Sequence, residues 1–387
     1  MPCEGWIQIL PQGILESKGL KKFDVQFSMA NELPVIFGNS SAIGFDIFGA
    51  IFYCLSRYEE YKCLEFDRHS RFSYLSSFLH VNNYLQTPLV DYWVAFFKSY
   101  LIKMSTGPLP FKEKATPAIL PTIDVDSIFT YQGKDIVRQL GGFAKDLIGG
   151  QWPQIKRRLS VLSGRLRDPF DNFDYQFEIL KSCNLKANYF IQVGKNGAYD
   201  KNINPHNKAF QTLLKRMVKE GHEVGLHPSY QSFGEEEIIQ KEKQLLERII
   251  ERPVIQSRQH YLRFSLPSTY LDLVQLGIKK EFSMGYSEVP GYRASTSKPF
   301  FWYDLEMENM TELEIIPFSM MDVAFKEFMR MTIDETLQYS DALREQIIKV
   351  NGSFSFVFHN ESLSDLEGWK GWRTVFEKWL TNEHKTH

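Results

Sequence analysis

Three short polar islands, each closing an apolar run, hold most of the residues in this chain that could do chemistry. They are Thr122-Ile123-Asp124-Val125-Asp126-Ser127, Gly221-His222-Glu223-Val224-Gly225-Leu226-His227 and Phe354-Ser355-Phe356-Val357-Phe358-His359. Carboxylates and imidazoles are costly to bury without partners. Their position at the ends of runs that read as buried strands points to a shared site. Asp124 and Asp126 lie two apart, and residues two apart on a strand point the same way. Two neighbouring carboxylates repel unless a cation or a proton separates their roles. One holding a metal while the other accepts a proton would satisfy both. Ser257-Arg258-Gln259-His260-Tyr261 adds a guanidinium and a further imidazole. Gly291-Tyr292-Arg293-Ala294-Ser295, followed by Pro299-Phe300-Phe301-Trp302, is a polar turn leading into an aromatic patch. It reads equally as a structural loop or a sugar contact, with Arg293 able to bridge to Asp124 or to an anionic substrate group. Asp322 could orient a histidine, and His206 reads more simply as a helix-start residue than as a ligand.

The elements that must position these groups alternate in type. Ala118 to Asp124, Ala187 to Val193, Val224 to His227 and Ser353 to His359 read as strands. Phe210 to Lys219, Gly234 to Arg252 and Leu266 to Leu276 read as helices, the first with Phe210, Leu213, Leu214, Met217 and Val218 on one face and Gly221 at its C-terminal cap. Such alternation predicts a parallel α/β sheet, open or closed into a barrel. A boundary falls in the segment Ser105 to Pro117, which contains Gly107-Pro108, Pro110 and Pro117. It divides the chain into 1–112 and 113–387. In the first part Ile47 to Tyr61 and Pro88 to Tyr100 read as helices. The charges Arg57, Glu59, Glu60, Asp67, Arg68 and Arg71 read as a salt-bridged face.

Between the first two strands of the second part, Lys134 to Arg167 carries eight Lys or Arg against two Asp, interleaved with Leu140, Phe143, Leu147, Ile148 and Trp152. This is either a solvated helical pair or a basic surface suited to peripheral contact with an anionic membrane or a phosphate-linked substrate. Over its 387 residues the chain is 43% hydrophobic with a formal charge of -2, which gives no sign of a nucleic-acid partner. The four cysteines show no metal-finger spacing and read as free thiols. The N-terminus lacks the basic and apolar regions of a signal peptide, so a cytoplasmic location is expected.

The order and chemistry of the islands resemble the polysaccharide deacetylase superfamily (NodB-homology, carbohydrate esterase 4-like) over roughly residues 115–365, in an atypical Bacteroidetes-type form with an N-terminal accessory domain. The resemblance implies a distorted (β/α) barrel with fewer than eight regular units, beside a smaller N-terminal α+β domain. Thr122-Ile123-Asp124 matches the start of the family's T-F-D-D-G segment, which implies that Asp124 is the catalytic base. Val125 then occupies the usual second-Asp position, so Asp126 as a metal ligand is an inference from chemistry. Gly221 to His227 matches the first part of G-H-E-[IV]-G-x-H-[ST]-x-x-H and implies His227 as a ligand, with His222 structural. Gln231 stands where the second histidine belongs. Arg258 falls where the family's R-x-P-[YF] arginine orients the catalytic carboxylate. His260, in place of the proline, could supply the missing imidazole, unless another residue does or metal binding is weakened. His359 matches the histidine that acts as general acid. Together these imply metal-dependent deacetylation of an N- or O-acetylated sugar, with Zn²⁺ the expected ion. Arg293, Tyr261 and Trp302 would be substrate contacts, and a backbone N–H near Tyr261 an oxyanion donor. A degenerate glycan-binding fold and a DxD-type glycosyltransferase are the rival readings.

Overall fold

The computed structural model describes residues 6–111 and 118–381, so the boundary expected between residues 112 and 113 lies outside the described residues. The strands are β1 (Phe27–Ala30), β2 (Leu33–Ile36), β3 (Ala118–Val125), β4 (Asn188–Ile191), β5 (Glu223–Leu226), β6 (Gln256–Ser257), β7 (Lys280–Glu281), β8 (Phe300–Asp304), β9 (Asn309–Ile315), β10 (Met320–Met321) and β11 (Ser353–His359). Packing groups the chain into two compact units that interleave along the sequence. Unit 1 comprises 1–119, 261–331 and 338–356; unit 2 comprises 120–260, 332–337 and 357–387.

Unit 2 is built on a parallel sheet. Thr122 of β3 pairs with Asn188 of β4 and that with Glu223 of β5; Asp124, Phe190 and Gly225 form another such row two residues on. β6 joins through Leu226 and Ser257, and β11 lies on the other side of β3. All of β4 and three of the four residues of β5 are buried, which is why these segments read as unbroken apolar runs. The crossovers are the helices Phe173–Ser182, Lys208–Lys219 and Glu236–Ile250. The middle one starts where the Asn207 side chain accepts from the N–H groups of Ala209 and Phe210, and it buries Phe210, Leu214 and Met217. Gly221 follows it at φ +81°, a left-handed turn that glycine adopts without strain and that delivers the chain into β5. The architecture is mixed α/β with a central parallel sheet, in keeping with the distorted barrel that the resemblance implied.

In unit 1, β1 and β2 form an antiparallel hairpin across Asn31 and Glu32, both at positive φ, as a two-residue hairpin turn requires. Its side chains pack with the helices Ile47–Leu55 and Leu89–Met104 around Val35, Ile36, Phe45, Ile47 and Trp93. The first helix is shorter than its periodicity predicts: it stops at Leu55 because Arg57 turns left-handed at φ 56°. That turn buries the Arg57 guanidinium against Glu59 and Glu60, at 2.8 and 2.7 Å. Most of the charges read as a salt-bridged face are thus paired, with Arg57 and Glu60 in the interior. Later segments of unit 1 add β7, parallel to β9, and β8, antiparallel to it. Cys54, Cys63 and Cys183 are free thiols, and Cys3 lies outside the described residues.

Candidate metal centre

Asp126 follows β3, His227 follows β5 and His260 comes three residues after β6, so three strand ends bring one carboxylate and two imidazoles together. One ligand atom from each lies within 4.8 Å of the others. His227 Nε2 is 3.3 Å from Asp126 Oδ1, and His260 Nε2 is 3.6 Å from Asp126 Oδ2. Ligands held about 2.1 Å from a tetrahedral ion lie about 3.4 Å apart, so these separations are those of a ligand set.

The remaining ring nitrogens are fixed from behind. His227 Nδ1 lies 2.6 Å from the Arg258 carbonyl, to which it donates. His260 Nδ1 lies 3.0 Å from Asp200 Oδ1 and donates to it. Each Nε2 therefore faces Asp126 and is the nitrogen left to bind a metal. Asp126 Oδ1 is correspondingly a buried oxygen without a hydrogen-bond partner. The carboxylates and the imidazoles stabilise each other's charged forms. Burial opposes this, yet His260, His227 and then His359 hold the Asp126 carboxyl well below the usual range. Burial likewise works against a charged His260, but Asp126 and Asp200 together raise it to about 9. An orphaned oxygen and two oriented imidazoles fit a divalent ion, which would take the place of the imidazole proton.

Asp124 stands beside this trio, 2% exposed, with Oδ2 3.9 Å from His227 Nε2. Thr122 and Asp124, two apart on β3, face the same guanidinium: Arg258 Nη1 is 3.2 Å from Asp124 Oδ1 and Nη2 is 2.8 Å from Thr122 Oγ1. Arg258 is fully buried and lies over the Phe190 ring at 4.8 Å. Its carbonyl orients His227 while its side chain orients Asp124. His359 ends β11 close enough to depress Asp126. Asn360 fixes that strand end, donating from Nδ2 to the carbonyls of Ser127 at 2.9 Å and Phe170 at 3.2 Å.

Asp200 has no signal in its Gly197-Ala198-Tyr199-Asp200-Lys201 context and was not singled out from sequence. It is 1% exposed and accepts from Gln192 Nε2 at 2.6 Å and the Tyr230 N–H at 2.9 Å as well as from His260. Gln231 reaches the other Asp200 oxygen at 3.5 Å. The residue standing where a second histidine was expected thus supports the carboxylate behind His260, whose imidazole stands in the cluster instead. His222 is structural: its ring stacks on Phe177 at 5.1 Å, Nδ1 accepts from the Ala187 N–H, and burial with nearby Lys186 pushes it down to about 4. His206 is exposed and takes no part in the cluster.

The expected substrate contacts belong to unit 1. Arg293 is 2% exposed and its guanidinium binds both Glu60 oxygens, at 2.8 and 2.7 Å, so the bridge to Asp124 or to a substrate anion is replaced by an interior ion pair. Trp302 is 1% exposed and donates to the Tyr61 hydroxyl at 3.3 Å, which leaves no ring face for a sugar. Tyr261 is 38% exposed, at φ 59°, and its carbonyl accepts from Arg71. Asp322 is buried and accepts from the Val323 N–H at 2.7 Å.

Residues 2–106 match the model of a family of unknown function, DUF7033. No curated protein matches. Among solved structures, the chain is similar to a candidate polysaccharide deacetylase from Mycobacterium smegmatis, at 14% identity and a TM-score of 0.45 over 71% of this chain and 86% of that one. It is similar to the allantoinase PuuE at 13% identity and a TM-score of 0.43, over 72% and 87%. A CE4 family pseudoenzyme from Bacillus anthracis matches at 13% identity and a TM-score of 0.32, over 72% and 66%. At TM-scores below 0.5 these likenesses assign no function to the chain.

Proposed function

We propose that the chain holds a divalent metal, Zn²⁺ by its donor set, on Asp126, His227 and His260, and hydrolyses the acetyl group of an N- or O-acetylated sugar. The observation that carries this reading is the trio itself, with each imidazole fixed by an acceptor behind it and Asp126 Oδ1 lacking a partner. The acetyl-sugar substrate class rests on the match of Gly221 to His227, Thr122 to Asp124 and Arg258 to the deacetylase motifs. An ion held there supplies Lewis acidity toward a carbonyl and acidifies water. Asp124 then accepts the proton of the attacking water at Oδ2, the oxygen facing His227, while Arg258 holds Oδ1 and keeps the carboxylate oriented. His359, at the end of β11, donates a proton to the leaving amine or alcohol.

Gln231 and the displaced second aspartate support a degenerate, glycan-binding reading; the place of His260 beside Asp126 and His227 favours the metal-holding one. The glycosyltransferase reading needs Asp124 and Asp126 on one ion; the pairing of Asp124 with Arg258 speaks against it. The test is elemental analysis of wild type, His227→Ala and His260→Ala, with acetate release from acetylated sugars measured alongside. Near one ion per chain in wild type, lost in both variants with the acetate release, is the expected result. A wild type that takes up no ion on reconstitution overturns the hydrolase reading.

A further inference from the structure

The helices Ile136–Ile148 and Trp152–Leu162 of unit 2 carry their apolar side chains on the outside. In the first, Ile136, Val137, Leu140, Leu147 and Ile148 are 78, 80, 65, 47 and 88% exposed, and no residue of that helix is buried. At 3.6 residues per turn these five fall within an arc of about 120°. In the second, Trp152, Leu159 and Leu162 are 61, 53 and 47% exposed. Beside Ile155 and Val161, what the pair keeps inside is a charge. Arg158 is buried, binds Asp146 at 2.7 Å and lies over the Tyr131 ring at 4.8 Å. Gly142 makes room for it: a Cβ there would sit 2.8 Å from the guanidinium. A helix packed on a core hides its apolar stripe and shows its charges; the first helix shows its apolar stripe instead.

Charge says what covers this face. Residues 134–167 are net +6, within a chain of net -2, so the rest of the chain is net -8. Lys145, Lys156 and Arg165 are exposed within the segment. A second copy would set +6 against +6. An anionic surface with an apolar interior meets both features at once, and an exposed Trp at a helix start is suited to the level of lipid headgroups. Among the described residues no helix is long and apolar enough to cross a membrane.

We propose that this helix pair lies flat on an anionic lipid bilayer, with the apolar arc at the acyl boundary and Lys145, Lys156 and Arg165 against headgroup phosphates. The contact is independent of the metal centre. Sedimentation of the full chain with phosphatidylcholine vesicles, alone or mixed with phosphatidylglycerol, tests it. The chain is expected to pellet with the mixed vesicles, to stay largely in solution with the neutral ones, and to be released by salt. Lys145→Glu/Lys156→Glu/Arg165→Glu should weaken binding about 100-fold. Leu140→Ser/Ile148→Ser/Trp152→Ser should abolish it. All six side chains are exposed, so both variants should keep the wild-type circular dichroism and melting temperature. Three results would overturn the proposal: no pelleting, equal partition onto neutral and anionic vesicles, or a dimer in light scattering that the apolar variant dissolves. The last would give the face to a second copy.

Discussion

At the scale of single residues, Asp200 governs what His260 can do. An imidazole whose Nδ1–H is held by a carboxylate offers Nε2 as a fixed and more basic ligand. Asp200 is itself held by Gln192, the Tyr230 N–H and Gln231, so the orientation is set two layers deep. Asp200→Asn keeps the shape and removes the charge. Zinc affinity, measured by competition with a chelating dye, should fall about 10- to 100-fold in Asp200→Asn, whereas His260→Ala should leave no tight binding. Equal affinity in wild type and Asp200→Asn would detach Asp200 from the site. The proposed ligands were legible in the sequence because each sits at the end of an apolar run: His227 in Gly221 to His227, Asp126 after β3, His260 beside Arg258. Asp200 was not. Its role depends on a loop after β4 folding back onto the strand ends, and nothing in Gly197 to Lys201 encodes that contact locally.

At the scale of elements, the strands were legible wherever burial on both faces made them continuous, as for Ser353–His359, which the structure reproduces residue for residue. Helix ends were less so, because a left-handed residue such as Arg57 stops a helix without a glycine or proline to announce it. His222 shows how one side chain locks two elements. It stands just before β5, and its Nδ1 accepts from Ala187, just before β4, so it fixes the register of the pair. Burial, aided by Lys186, lowers its pKa to about 4, while an unfolded histidine titrates at about 6.5. The unfolded chain therefore takes up this proton first as pH falls. The stability that His222 contributes is complete above about pH 6.5 and is lost on the way down to about pH 4. In urea titrations the gap between wild type and His222→Gln should be wide at pH 7.5 and shrink toward pH 4.5. A gap of constant width across that range would show that His222 stays neutral for another reason or titrates elsewhere.

At the scale of the whole molecule, the sequence misassigned residues whose partners are distant in the chain. Arg293 and Trp302 look like a binding loop read locally, yet they are buried against Glu60 and Tyr61, more than two hundred residues earlier. Long-range pairing of that kind leaves no local pattern. The same long range gives the proposed metal centre its consequence for stability. Its three ligands come from chain segments separated by about a hundred and by about thirty residues, and the set does not exist in the unfolded chain, so an ion that binds it stabilises the folded state alone. At a free zinc concentration a hundredfold above the dissociation constant the gain is about 2.7 kcal/mol, which for a unit of this size raises the melting temperature by about 5–10 °C. Differential scanning calorimetry of the full chain should show that rise on adding zinc, and its reversal by a chelator. His227→Ala should melt at one temperature with or without the ion. A zinc-dependent rise of the same size in His227→Ala would place the bound ion somewhere other than at Asp126, His227 and His260.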